Sequence, residues 1–226
     1  NGDYKLVSNG NPTFFGLQES FARNITKTFY STLNYNKTFA TNHNLTALAG
    51  YEQQNYLGSS LNGARYNFPN TTIMELNGST GLNQTTGGTS VEWALRSLFG
   101  RVNYDYKQKY FLEGNIRYDG TSRVDTKYRW GTFGGGSAAW KISSEDFISQ
   151  NFHWINNLKL RASYGVLGNQ EIGNYPYQDV RSLTSYPFSS LSSGAIITRL
   201  TTKDLKWEKT AMLDFGLDVD IFNGLF

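Results

Sequence analysis

Between Ser97 and Asp119 the chain alternates in a period of two. Leu98, Gly100, Val102 and Tyr104, then Tyr110, Leu112, Gly114, Ile116 and Tyr118, are apolar, aromatic or small. The interleaved Ser97, Phe99, Arg101, Asn103 and Asp105, then Phe111, Glu113, Asn115, Arg117 and Asp119, are far more polar. A period of two sends alternate side chains to opposite faces of a sheet, so the pattern predicts two long antiparallel strands joined by a tight turn at DYKQK. Tyrosines at the ends of an aliphatic stretch suit a face turned to lipid, with the rings at headgroup level.

The same pattern recurs along the chain. Residues 1–17 are Gly/Asn-rich and read as a loop. A first strand is expected from about Phe21 to Lys37, a second from His43 to about Leu57, and a long polar connection over 58–92. After the central hairpin come a loop at Gly120–Tyr128 and a fifth strand, Arg129–Ile142, carrying Gly134-Gly135-Gly136. Ser143, three residues before Asp146, resembles a helix N-cap and predicts one or two helical turns within Ser143–Asn157. A sixth strand over Leu158–Leu167, a long loop over 168–204 and a seventh strand over Leu205–Ile221 complete the series.

Two regularities decide the class. The strands are about 10–17 residues long, against roughly 5–6 in soluble domains and ~9–11 for a tilted bilayer crossing. Short connections (38–42, 106–108, 222–224) sit at one end and long ones (58–92, 120–128, 168–204) at the other, with 143–156 intermediate. This is the asymmetry of outer-membrane barrels, in which short turns face the periplasm and long loops the medium. The expected fold is therefore all-β, an antiparallel transmembrane β-barrel segment of about seven long strands from a larger barrel. A soluble β-sandwich binding carbohydrate or protein explains the alternation equally well, but not the strand length.

Composition adds little but removes several classes. The 226 residues contain 15 Tyr, 15 Phe and 5 Trp, 4 Pro and no Cys, which excludes disulfides and thiol chemistry. A net charge of +3 with dispersed cations does not point to nucleic acid. No apolar run is long enough for a membrane helix. A mean hydropathy of −0.48 remains compatible with a barrel, where only alternate residues need be apolar. The first residues have neither the basic start nor the apolar core of a signal peptide.

Catalytic signals are thin. His43 and His153 lack a metal-binding HExxH or a GxSxG serine motif, though an outer-membrane hydrolase with a dispersed serine–histidine pair stays open. Glu113 with Asp119, or Asp214 with Asp218, could be read as glycosidase carboxylates; same-face charges lining a polar interior is the simpler reading. The glycines at 134–136 lack the strand-then-helix context of a phosphate loop and suggest tight packing or a bent strand. Six Asn-Xaa-Ser/Thr sequons, at Asn24, Asn36, Asn44, Asn70, Asn77 and Asn83, are expected by chance in so Asn/Thr-rich a chain. Candidate substrate contacts are the loop aromatics Tyr66, Phe68, Trp93, Tyr175, Tyr177, Tyr186 and Phe188. Candidate lumen or plug contacts are Arg101, Glu113, Arg117 and Arg161. No cofactor or metal is expected.

Five separated blocks carry a family resemblance: YNKTFATNHNLTALAGYE, SLFGRVNYDYKQKYFLEGNIRYDGTSR, RWGTFGGGSAAWKISSEDF, INNLKLRASYGVLGNQEIGNYPY and DLKWEKTAMLDFGLDVDIFNG. In this order they resemble the SusC/RagA family of TonB-dependent outer-membrane transporters of Bacteroidota. One departure is Phe133-Gly134-Gly135-Gly136, where the family usually has Phe-Pro-Ser before Ser-Ala-Xaa-Trp. The resemblance implies import of a bulky oligosaccharide or peptide across the outer membrane. It also implies a SusD-like surface lipoprotein as a lid, and energy from TonB–ExbB–ExbD acting on a plug domain. No plug or TonB box is recognisable within 1–226, and such barrels have about 22 strands, so the chain reads as a partial barrel domain. Alone it is expected to aggregate or require detergent, since open strand edges in lipid leave backbone groups unpaired.

Overall fold

A computed structural model describes residues 2–8, 15–70, 72, 75–79, 83–187, 191–198, 201–202 and 204–222. Among the described residues the chain forms ten strands: β1 (Gly2–Ser8), β2 (Phe15–Phe39), β3 (His43–Phe68), β4 (Gln84–Tyr106), β5 (Tyr110–Thr121), β6 (Trp130–Lys141), β7 (Ile155–Asn169), β8 (Arg181–Pro187), β9 (Leu191–Ile197) and β10 (Glu208–Ile221). One short helix, α1 (Asp146–Ser149), lies between β6 and β7. The chain separates into two compact units, Asn1–Lys27 with Asn55–Trp93, and Thr28–Gln54 with Ala94–Phe226.

In the second unit the neighbours are β2, β3, β4, β5, β6, β7 and β10, with β8 and β9 forming a separate hairpin. The strands pair antiparallel, and their registers keep each alternation on its own side. Leu98 faces Tyr118, Val102 faces Gly114, Ala138 faces Ala162, and Leu213 faces Tyr164. On the opposite side Asn103 meets Glu113, Glu113 meets Ser137, Ser137 meets Ser163 and Ser163 meets Asp214. One face is thus aliphatic and aromatic, the other polar and charged. Among the described residues nothing covers the apolar face: Leu98, Val102, Leu160 and Leu213 are 44–63% exposed. In a sandwich these side chains would be sealed beneath a second sheet.

Paired aromatics bound the apolar face. Tyr110 stacks near Trp140 at one end, with ring centres 6.4 Å apart, and Tyr118 stacks on Trp130 at the other, 4.8 Å apart. Eight residues separate Tyr110 from Tyr118, about 26 Å along the strand and about 20 Å along the normal of a tilted barrel. That is close to the ~25 Å apolar band of outer-membrane barrels. Gly120 has no Cβ to displace the Trp130 ring, which lies 2.7 Å from where that carbon would sit.

The short connections lie side by side. Lys107 N–H donates to the Asn42 carbonyl at 2.7 Å, Lys141 N–H to Lys109 at 2.8 Å, and Phe222 N–H to Trp154 at 2.9 Å. Lys107 and Gln108 both have φ of 53°, the backbone of a type I′ hairpin turn, which favours Asn-Gly. Replacing the pair by Asn-Gly should stabilise the hairpin by about 1 kcal/mol or more, because the left-handed region costs ordinary residues about that much. Thermal unfolding of the full-length receptor in detergent measures this; an unchanged or lower midpoint would count against the turn assignment.

In the first unit β1 pairs with β2 antiparallel, Gly2 opposite Phe21 and Ser8 opposite Phe15. Residues 1–17 are therefore not one loop. The connection expected over 58–92 is also largely strand: β3 continues to Phe68 and β4 starts at Gln84. With 25, 26 and 23 residues, β2, β3 and β4 are about twice as long as a bilayer crossing needs. A strand held by its backbone ladder needs no apolar face, so Gly58-Ser-Ser and Gly87-Gly88-Thr-Ser hide it from a pattern search. The loop expected over 168–204 contains β8 and β9. Ser143 lies in a 3-10 turn, Ile142–Ser144, and the residue before α1 is Glu145, so the expected N-cap is displaced by two residues.

Candidate functional site

The polar face of the second unit gathers the charged side chains. Arg117, projecting from β5, donates through Nε to both Asp119 carboxylate oxygens at 3.2 Å and pairs with Glu52 of β3 at 3.6 Å. Its guanidinium lies 5.1 Å from the centre of the Phe99 ring, and Phe99 stacks in turn near Tyr30 at 5.8 Å. Gly50 makes this possible, since a Cβ there would stand 2.3 Å from the Phe99 ring. A planar cation held by a forked carboxylate contact and an aromatic face is a fixed, directional group rather than a mobile charge.

Below it a cleft of about 640 Å³ opens on the same face, lined by Asp105, Glu113, Lys159, Arg161 and Asp214 with Asn103, Ser137 and Ser163. Arg161 pairs with Asp218 at 3.2 Å and lies over Gly216, where a Cβ would stand 2.4 Å from its Nε. Lys159 Nζ sits 4.9 Å from the Phe111 ring centre. Asn44 links two strands, accepting from Thr38 at 2.7 Å and donating to Asp105 at 2.9 Å. The cleft can hold a polar or charged partner through hydrogen bonds.

Its geometry does not suit the proposed acid–base pairs. Glu113 and Asp119 are six residues apart on one strand, about 20 Å, and Asp214 and Asp218 four apart, about 13 Å. Glycosidase carboxylates stand about 5–9.5 Å apart. His43 Nδ1 meets the Tyr104 hydroxyl at 2.7 Å and stacks on Phe39, the surroundings of an aromatic belt.

Of the lumen candidates, Glu113 and Arg161 share the cleft, Arg117 centres the network above it, and Arg101 is exposed on the same polar face. The sequence reading missed Glu52, Asp119 and Asp218 as their partners; cross-strand register, which supplies these contacts, is not visible in a single strand's pattern. The loop aromatics divide between the units. In the first, Tyr66 and Phe68 lie on β3, Phe68 buried at 5% exposure, and Trp93 stacks on Tyr56 at 5.2 Å. In the second, Tyr175 and Tyr177 form an edge contact at 6.3 Å. Tyr186 lies on the backbone of β8, and Phe188 falls outside the described residues.

A further cluster, not anticipated from the sequence, ties the β6–β7 connection to the barrel end. Glu145 accepts hydrogen bonds from the Tyr110 hydroxyl at 2.7 Å, Trp140 Nε1 at 3.0 Å and Lys109 Nζ at 3.1 Å. The three donors hold its carboxyl well below the usual carboxylate range, lowered from 4.5 to about 2, with Tyr110 contributing most. Because the folded form has the lower pKa, this contribution to stability is complete above about 4.5 and is lost as pH falls toward about 2. Glu145→Gln should flatten the acid limb of the stability–pH curve in that window and lower the unfolding midpoint at neutral pH. Parallel curves for the two proteins would contradict the contact.

No known family profile matches the chain. Individual proteins do. It is 40% identical over 195 residues to the TonB-dependent receptor P39 of Formosa agariphila, covering 84% of this chain and 18% of that protein. It is 35% identical over 135 residues to the TonB-dependent receptor SusC of Bacteroides thetaiotaomicron, covering 58% of this chain and 13% of that one. In structure it is similar to the RagAB peptide transporter, with a TM-score of 0.85 and 29% identity over 96% of this chain and 24% of the matched chain. The chain thus spans about a fifth of the length of the curated relatives it matches. With the unsealed apolar face, the aromatic belts and the charged opposite face in agreement, the chain belongs to the SusC/RagA family of TonB-dependent receptors, as a segment of the family's antiparallel transmembrane β-barrel.

Proposed function

We propose that the chain forms part of the barrel wall of an outer-membrane importer of a bulky nutrient, an oligosaccharide or a peptide. A SusD-like surface lipoprotein closes over the barrel, and TonB–ExbB–ExbD drives transport through a plug domain seated against the polar face. The barrel is a passage and not an enzyme. The observation that carries this reading is the contrast between the two faces of one sheet: an unsealed apolar side and, opposite it, the ordered Arg117–Phe99–Glu52–Asp119 network above a charged cleft. A polar, side-chain-lined interior is what an occupied outer-membrane barrel requires. Kinship with TonB-dependent receptors and with a peptide transporter supports uptake of a bulky nutrient.

The test uses the full-length receptor in its native bacterium. Deleting its gene should abolish uptake of one oligosaccharide or peptide class, deleting tonB should have the same effect, and a tagged receptor should co-purify a surface lipoprotein from the outer membrane. Uptake that survives loss of TonB, or a receptor recovered from the soluble periplasm, would overturn the reading.

A further inference from the structure

The lipid-facing side is not uniform. At its turn end, just inside Tyr110 and Trp140, an apolar groove of about 710 Å³ crosses β5, β6, β7 and β10. Ala138 and Ala162, directly paired, make its floor, while Leu112 and Phe215 wall it laterally and Trp140 and Leu160 close the end nearest the turns. Phe215 and Leu112 stand well out from the sheet, so the floor between them is recessed. The groove begins at the ring pair that marks the headgroup level and runs into the hydrocarbon zone.

Charge is arranged at its mouth. Lys109 bonds Glu145 at 3.1 Å and approaches Asp146 at 3.8 Å, and Glu145 in turn holds the Tyr110 hydroxyl and Trp140 Nε1. The Glu145 carboxylate is thereby committed, whereas that of Asp146 is 87% exposed. An exposed carboxylate beside an ammonium matches a headgroup bearing both an ammonium and a phosphate.

We infer that this groove is a binding site for one phospholipid of the periplasmic leaflet, with an acyl chain over Ala138 and Ala162 and a zwitterionic, ammonium-bearing headgroup against Asp146 and Lys109. The inference rests on the outer-membrane reading above. The groove is continuous with the lipid-facing surface and lies at the short-turn end, which selects the inner-leaflet phospholipid over the glycolipid of the outer leaflet. Trp140 joins the two halves of the site, its ring closing the groove and its N–H fixing Glu145.

The experiment is native mass spectrometry of the full-length receptor, extracted from outer membranes and re-equilibrated with vesicles of phosphatidylethanolamine or phosphatidylglycerol. One retained phosphatidylethanolamine is expected, in preference to phosphatidylglycerol. Ala162→Phe fills the floor and should reduce retention roughly tenfold, the cost of displacing about two methylenes. Ile116→Phe, on the same face outside the groove, should leave retention unchanged. Asp146→Asn, in an exposed connection, should erase the headgroup preference without affecting folding. No retained lipid, equal retention by Ala162→Phe, or a receptor dimer that Ala162→Phe dissociates would each overturn the inference. A receptor absent from the outer-membrane fraction would instead overturn the proposed function.

Discussion

Leu213→Arg should destabilise the folded receptor by about 2–4 kcal/mol, whereas Asp214→Asn, one residue along, should change stability by well under 1 kcal/mol. Leu213 lies opposite Tyr164, which is level with Gly136 and Gly114, midway between the two aromatic belts. An arginine there must leave its charge in hydrocarbon or drag water and headgroups inward, and the cost is greatest at the midplane. Asp214 projects to the other side, into the polar cleft, where water already reaches it. Folding of the full-length receptor into lipid vesicles, followed by the heat-dependent mobility shift of barrels on gels, measures both. Equal costs at the two positions would mean that the faces are not chemically distinct.

The second large effect belongs to the glycine run of β6. A Cβ on Gly134 would stand 2.6 Å from the Asn115 carbonyl oxygen, and one on Gly135 would stand 2.7 Å from the Tyr164 carbonyl oxygen and 3.0 Å from Gly165 Cα. These neighbours are backbone of β5 and β7, which cannot swing aside as a flexible side chain can. Gly135→Val should therefore cost about 1–3 kcal/mol, as overpacking does in a well-packed interior. Gly114→Ala, where nothing lies within 4 Å, should be close to neutral. Gly216 is different again: its hypothetical Cβ meets the Arg161 side chain, so Gly216→Ala should disturb the Arg161–Asp218 pair more than the strand. A Gly135→Val receptor as stable as the parent would show that the three strands have room to separate there.

Much of this architecture is readable from side-chain alternation, for a physical reason. Inside the bilayer each strand must present apolar residues at every second position, and Leu98–Tyr104, Leu112–Tyr118, Leu158–Val166 and Ala211–Ile221 obey this closely enough to assign both faces. Outside the bilayer that demand ends. The far part of β3 and the first part of β4 are too rich in Gly, Ser and Thr to show one, and the short β1, β8 and β9 carry too few residues to establish a period. The glycine run was legible as close packing or a bend, and the contact distances favour close packing. That the charged positions share one polar face was also legible, but their partners were not. Arg117 meets Glu52 across 65 positions of sequence, and Glu145 meets Tyr110 across 35, contacts fixed by strand register and turn placement. An acidic residue after a Trp-Lys strand end was the available clue to the Glu145 cluster. Its meaning depended on knowing that Tyr110 and Trp140 stand side by side.

Single nitroxide labels placed in turn at residues 211–219 of the full-length receptor, in native outer-membrane lipid, test the two-faced wall most directly. Collisions with dissolved oxygen should peak at 211, 213, 215, 217 and 219, and collisions with a water-soluble nickel complex at 212, 214, 216 and 218. Oxygen accessibility that shows no period of two, or immobilised labels shielded from both reagents at 213 and 215, would place a second protein layer against the apolar face and contradict the barrel account.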